Sequence, residues 1–130
     1  VGLTGKESLT ADAVARVRKA WQQYPDRYEA VFDQVEDVTN AGREALITGN
    51  LEEIGELMNL CHGYLNALQL STPELEELIH IARNNGALGA KLTGGGVGGS
   101  MIALCPDNKH SVQHAMQAAG FQTLEVTIAT

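Results

Sequence analysis

Gly86-Ala87-Leu88-Gly89-Ala90-Lys91-Leu92-Thr93-Gly94-Gly95-Gly96-Val97-Gly98-Gly99-Ser100-Met101-Ile102-Ala103-Leu104 is the stretch on which the reading of this chain turns. Seven of the chain's 14 glycines lie between Gly86 and Ser100, and five of the six positions from Gly94 to Gly99 are glycine. A two-residue hairpin turn needs only one or two. Each ordered glycine costs backbone entropy, so the excess points to a main chain that takes positive φ or closely approaches a ligand. Consecutive bare N–H groups form a concave nest for an anion, most often a phosphate. Lys91 and Thr93 precede the tract and Ser100 follows it, adding a cation and two hydroxyls.

The flanks of the tract set the secondary structure. Ala87 to Leu92 is short and mostly apolar, and Met101-Ile102-Ala103-Leu104-Cys105 is an unbroken apolar run, read as a strand buried on both faces. Pro106-Asp107-Asn108 opens a short helix through Val112, Ala115, Met116 and Ala119, which Gly120 stops. Thr123, Glu125 and Thr127 then alternate with Leu124, Val126 and Ile128, the period of a strand buried on one face.

Upstream of Gly86 the pattern is helical. Thr10 is a candidate N-cap, with Ala13, Val14, Val17, Ala20 and Trp21 on one face until Pro25. A second helix carries Tyr28, Val31, Phe32, Val35 and Val38 to Leu46, with Gly49 beyond its end. Asn50 and Glu53 form a capping-box pair for a third helix, whose apolar face runs from Leu51 to Leu68. Thr72-Pro73 starts a fourth, through Leu75, Leu78, Ile79 and Ala82. Helices followed by strand, loop, strand, helix and strand make one α+β domain over residues 1–130, with helices packed on a small, mainly antiparallel sheet. Three strands leave a sheet with unprotected edges. A fourth is therefore expected from residues before Val1.

Composition excludes several functions. The net charge is −7 and the basic residues are scattered among acids, without the stripe that nucleic-acid binding requires. No run approaches the roughly 18 to 20 apolar residues of a membrane span. The opening residues Val1 to Glu7 have neither a basic nor an apolar region of the signal-peptide kind. Cys61 and Cys105 lack Cys-x-x-Cys spacing and read as two thiols in a reducing cytoplasm. Gly94-x-Gly96-x-x-Gly99 matches the dinucleotide fingerprint as a string, but a strand-like run follows it where that fingerprint needs a helix. Gly5-Lys6-Glu7-Ser8 lacks the upstream glycine of a Walker A loop. A start without Met, on a polar glycine-rich stretch, suits a piece of a longer chain.

Gly86 to Leu104 resembles the third motif of the GHMP small-molecule kinases, in the form G-A-L-G-A-K-L-T-G-A-G-G-G-G-C-M-I-A-L that mevalonate kinases carry. Leu57-Met58-Asn59-Leu60-Cys61-His62, Leu68-Gln69-Leu70-Ser71-Thr72-Pro73-Glu74-Leu75 and Thr10-Ala11-Asp12-Ala13-Val14 are similar to further segments of that family. Val97 stands where the motif has glycine, Gly95 where it has alanine and Ser100 where it has cysteine. The resemblance implies a ferredoxin-like C-terminal domain packed on an absent N-terminal domain, with ATP and mevalonate between them. It implies transfer of phosphate from ATP to the primary hydroxyl of mevalonate, in cytoplasmic isoprenoid biosynthesis. No catalytic residue falls in this chain on that reading, and ATP and Mg²⁺ are held mainly by the N-terminal domain. Thr93, Gly94, Gly95, Gly96, Gly98, Gly99 and Ser100 are implied to lie beside the phosphates. The alternatives are another GHMP kinase acting on phosphomevalonate or homoserine, or a non-catalytic domain that binds a small anion or forms a homodimer.

Other candidates read as structural. Asn59 and His62 share a helical face and suit a role at a domain interface, since no third ligand completes a metal site. His80, His110 and His114 read as surface residues, and Trp21 and Tyr24 as core or interface anchors. Glu52, Glu53, Glu56, Glu74, Glu76 and Glu77 fit helix first turns and solvated faces.

Overall fold

The computed structural model describes residues 1–6, 10–94 and 99–128. In chain order these form β1 (Gly2–Leu3), α1 (Thr10–Gln23), α2 (Pro25–Thr48), α3 (Leu51–Ala67), α4 (Pro73–Asn84), β2 (Gly89–Thr93), β3 (Ser100–Leu104), α5 (Lys109–Ala118) and β4 (Gln122–Thr123). The sheet order is β2-β3-β1-β4 and every neighbouring pair is antiparallel. This is the ferredoxin-like split βαβ arrangement, with α1 to α4 in the first crossover and α5 in the second.

Helix ends follow local chemistry. Gly49 closes α2 at φ 74°. The N–H groups of Gly49 and Asn50 return to the carbonyls of Leu46 and Ala45 at 3.3 and 3.0 Å, a Schellman closure. With its N–H spent on α2, Asn50 uses its side chain to start α3. Its Oδ1 accepts from the Glu53 N–H at 3.2 Å and its amide donates to the Glu53 carboxylate at 3.3 Å. Thr72 accepts from the Leu75 N–H at 3.2 Å, and Pro73 takes the first helical position, where its missing N–H costs nothing. Pro25 likewise begins α2 rather than merely ending α1.

One face of the sheet carries the core. Ala90 and Leu92 of β2 and Met101 of β3 pack against Leu75, Leu78, Ile79 and Ala82 of α4 and against Val112 and Met116 of α5. Each fully buried leucine or isoleucine contributes about 1.5–3 kcal/mol. Lys91, Thr93, Ser100, Ile102 and Leu104 alternate onto the other face, where they are half-buried. The reading of β3 as buried on both faces is thus corrected: α4 and α5 cover one side only.

Two further expectations change. The fourth strand lies within this chain: β1 pairs with β3 through Gly2↔Met101 and with β4 through Gly2↔Thr123. The alternating run at the C-terminus is strand only over Gln122–Thr123, and Leu124, Val126 and Ile128 are exposed rather than buried on one face. Alternation marks a strand only where a covering layer exists; past Thr123 α5 contributes the exposed Lys109–Glu125 ion pair at 2.8 Å rather than an apolar face.

Candidate functional site at the β2–β3 connection

The register places Thr93 opposite Ser100, so β2 and β3 bring the two ends of the glycine tract together. Gly94 leaves β2 at φ 70°, and among the described residues a Cβ there would meet no atom within 4 Å. Its main chain is therefore bare and faces open space, the condition for close approach by a ligand. Among the described residues the Thr93 and Ser100 hydroxyls take no hydrogen-bond partner, while the Lys91 ammonium donates to the Leu92 carbonyl at 2.8 Å. Gly95, Gly96 and Gly98, also expected beside the phosphates, lie outside the described residues.

The far side of the tract is held by a residue that periodicity did not single out. The Gly99 carbonyl accepts from the Thr4 hydroxyl at 2.8 Å and from the Thr4 N–H at 3.3 Å. Lys6, two residues on, pairs with Glu74 in the first turn of α4 at 2.9 Å. A two-residue strand is too short for alternation to register, so nothing in the sequence flagged this segment.

β2 is an edge strand, and its outward polar groups are satisfied by side chains rather than by another strand. The Ala90 N–H donates to Asn59 Oδ1 at 3.0 Å and the Leu92 N–H to His62 Nδ1 at 3.1 Å. Arg83 donates from Nη2 to the Ala90 carbonyl at 3.0 Å and from Nε to Asn59 Oδ1 at 2.9 Å. Two successive outward amides of a strand are matched by two residues three apart on a helix. Sealing an edge in this way blocks pairing with a second chain. Asn59 and His62 thus have a structural role inside this domain rather than at a domain interface. His62 is 3% exposed and its Nε2 lies 3.1 Å from Glu76 Oε2, a partner the sequence reading had placed on a solvated face.

The remaining candidates stay apart from this site. His80, His110 and His114 are exposed. Trp21 and Tyr24 are exposed where α1 meets α2, not core anchors; Trp21 donates to Glu29 at 3.3 Å, and Arg27 lies 4.4 Å from the Tyr24 ring centre. Cys61 and Cys105 are free, and burial pushes the Cys105 thiol up. The surface depression along α1, lined by Ala11, Val14, Ala15, Arg18, Lys19 and Gln22, involves none of the glycine-tract residues.

At the start of the connection a Gly94 backbone at φ 70° adjoins the Thr93 hydroxyl. Among the described residues no three His, Cys, Asp or Glu side chains converge. No helix among them is long and apolar enough to cross a membrane.

Comparison with known proteins agrees with the fold. The mevalonate kinase of Pyrococcus abyssi is 41% identical over 125 residues, covering 92% of this chain and 37% of that protein. The mevalonate kinase of Methanothermobacter thermautotrophicus is 45% identical over 97 residues, covering 75% of this chain and 32% of that protein. This chain therefore spans about a third of the length of these curated relatives. Among solved structures, L. major mevalonate kinase in complex with R-mevalonate superimposes with a TM-score of 0.86 at 35% identity, over 90% of this chain and 36% of that one. The Lin0012 protein from Listeria innocua, at 20% identity and a TM-score of 0.88 over 95% of this chain and 37% of that one, shares the fold. The family model described as GHMP kinases C terminal matches residues 43–122, which run from α2 through the glycine tract to β4. The chain belongs to the GHMP kinases, as the C-terminal domain of that family.

Proposed function

We propose that this chain is the C-terminal part of an ATP-dependent mevalonate kinase that phosphorylates the primary hydroxyl of mevalonate in cytoplasmic isoprenoid biosynthesis. The observation that carries the reading is the stretch Gly86 to Leu104, which matches the mevalonate kinase form of the motif and turns from β2 into β3 with Gly94 bare beside Thr93. The free thiols of Cys61 and Cys105 accord with a reducing compartment.

On this reading the chain supplies shape and dipoles rather than an acid or base. ATP, when bound, supplies the phosphoryl group, and the open backbone at Gly94 takes its anionic end. Thr93 and Ser100 offer hydroxyl donors on the same sheet face. Donors fixed before the reaction stabilise charge without reorganising, which is the larger part of catalysis in phosphoryl transfer. The residues that activate the substrate hydroxyl and hold Mg²⁺ belong to an N-terminal domain of the same kinase. This chain alone is then inactive.

The test is phosphoryl transfer by the full-length polypeptide, assayed with mevalonate, phosphomevalonate and homoserine in parallel. Mevalonate should be turned over with the highest kcat/KM; preference for either other alcohol would replace the substrate while keeping the family. Gly96→Val should depress transfer far more than it lowers the melting temperature. Equal losses would mean that the glycines serve only the turn.

A further inference from the structure

The last contact that seals the edge of β2 sits one residue before Thr93, and its chemistry is directional. His62 Nδ1 accepts from the Leu92 N–H at 3.1 Å, while Nε2 lies 3.1 and 3.3 Å from the two Glu76 oxygens. A carboxylate only accepts, so Nε2 carries the proton and Nδ1 presents its lone pair. An N–H on Nδ1 would instead point at the Leu92 N–H. Glu76 therefore selects the tautomer that lets His62 hold the strand.

The Leu92 position is clamped from two sides. Its side chain is 1% exposed in the core, and its amide is held by a ring that is itself 3% exposed. The neighbouring edge residue, Ala90, is secured by both Asn59 and Arg83. Among the described residues Leu92 has His62 alone for its N–H. Thr93 and the left-handed Gly94 follow directly, so the direction in which the tract leaves β2 depends on this amide plane.

We propose that His62 is a positioning residue for the phosphate-facing end of β2, aiming Thr93 and Gly94 through the Leu92 amide, with Glu76 fixing its tautomer. The proposal rests on the kinase reading above. His62 touches neither substrate nor nucleotide; it acts through the backbone.

Three substitutions in the full-length polypeptide separate its two bonds. His62→Asn keeps an acceptor near the place of Nδ1 and gives up Glu76. His62→Gln reaches Glu76 as a donor and gives up Leu92. His62→Phe fills the volume and gives up both. At a temperature where all are folded, KM for ATP should rise about five- to tenfold in the Gln and Phe variants, the effect of losing one hydrogen bond. It should stay within about twofold in His62→Asn, with KM for mevalonate unchanged throughout. If all three melt earlier but share the wild-type KM for ATP, His62 is only a stabilising residue and the proposal is overturned. Hydrogen exchange at the Leu92 amide reads the same contact without activity. It should be protected in wild type and His62→Asn, and equal exchange in wild type and His62→Phe overturns the proposal. The two failures are separable, because a wild-type polypeptide that transfers no phosphate removes the kinase reading whatever the Leu92 amide does.

Discussion

Gly55 of α3 and Gly89 of β2 meet backbone to backbone: a Cβ on Gly55 would press into the Leu88 carbonyl, and one on Gly89 into the Gly55 carbonyl. This contact lets the helix lie close enough for Asn59 and His62, one and two turns on, to reach the strand's outward amides. Edge protection, helix packing and the approach to the glycine tract are therefore one construction.

Gly55→Ala should destabilise the domain by about 1–3 kcal/mol, since the added carbon must push the helix off the strand. Gly63 lies on the same helix with no atom within 4 Å of a Cβ. There the substitution should stabilise by about 0.5–1 kcal/mol, the gain in helix propensity of alanine over glycine. Urea unfolding of the two variants checks the opposite signs, and a shared sign would mean that α3 does not rest on β2 through Gly55.

Asn59→Leu should cost about 2 kcal/mol, because it leaves the Ala90 N–H and Arg83 Nε without their common acceptor. Hydrogen exchange localises the effect: the Ala90 amide should lose protection while Met101 in β3 keeps its own. Uniform loss across the sheet would argue against an edge-specific role.

The Lys6–Glu74 pair gives a pH signature. The hydrogen bond from Lys6 holds the Glu74 carboxyl below its ordinary 4.5. A lowered folded-state value means that the unfolded chain binds the proton more readily. The pair's contribution is thus present above about 4.5 and is lost as pH falls through the lower, folded value. Thermal melts of wild type and Glu74→Gln should differ slightly near neutral pH and converge in acid, with added salt shrinking the gap. A gap that widens in acid would reverse the sign and exclude this pair as its source.

Val126→Asp and Ile128→Asp should leave the stability of this chain within about 0.5 kcal/mol, as expected of exposed positions. Leu78→Ala, at a site with no exposure, should cost about 2–5 kcal/mol. Chemical denaturation distinguishes this from a buried C-terminal strand, for which the aspartates would be the more damaging changes.

Much of the fold was legible because its signals are local. Gly49, Asn50 with Glu53, and Thr72 with Pro73 act within one turn, and each marks its helix end where the structure has it. The apolar run Met101 to Leu104 and the glycines before it placed the connection between two strands. β1 escaped notice because two residues carry no period, although they occupy an interior position in the sheet. Leu124, Val126 and Ile128 misled for the complementary reason: they have the period but no layer above them.

Residue order alone determined the end of α2, the starts of α3 and α4, the α+β class and the place where an anion is expected, since capping, turn formation and glycine's freedom are settled between near neighbours. Only the folded chain decided that Thr4 fastens the far side of the tract, and that Asn59, His62 and Arg83 close the edge of β2. Those bonds join residues 7 to 95 positions apart, with Thr4 and Gly99 the most distant. Their partners are chosen by packing, through contacts such as Gly55 against Gly89, that no local pattern encodes.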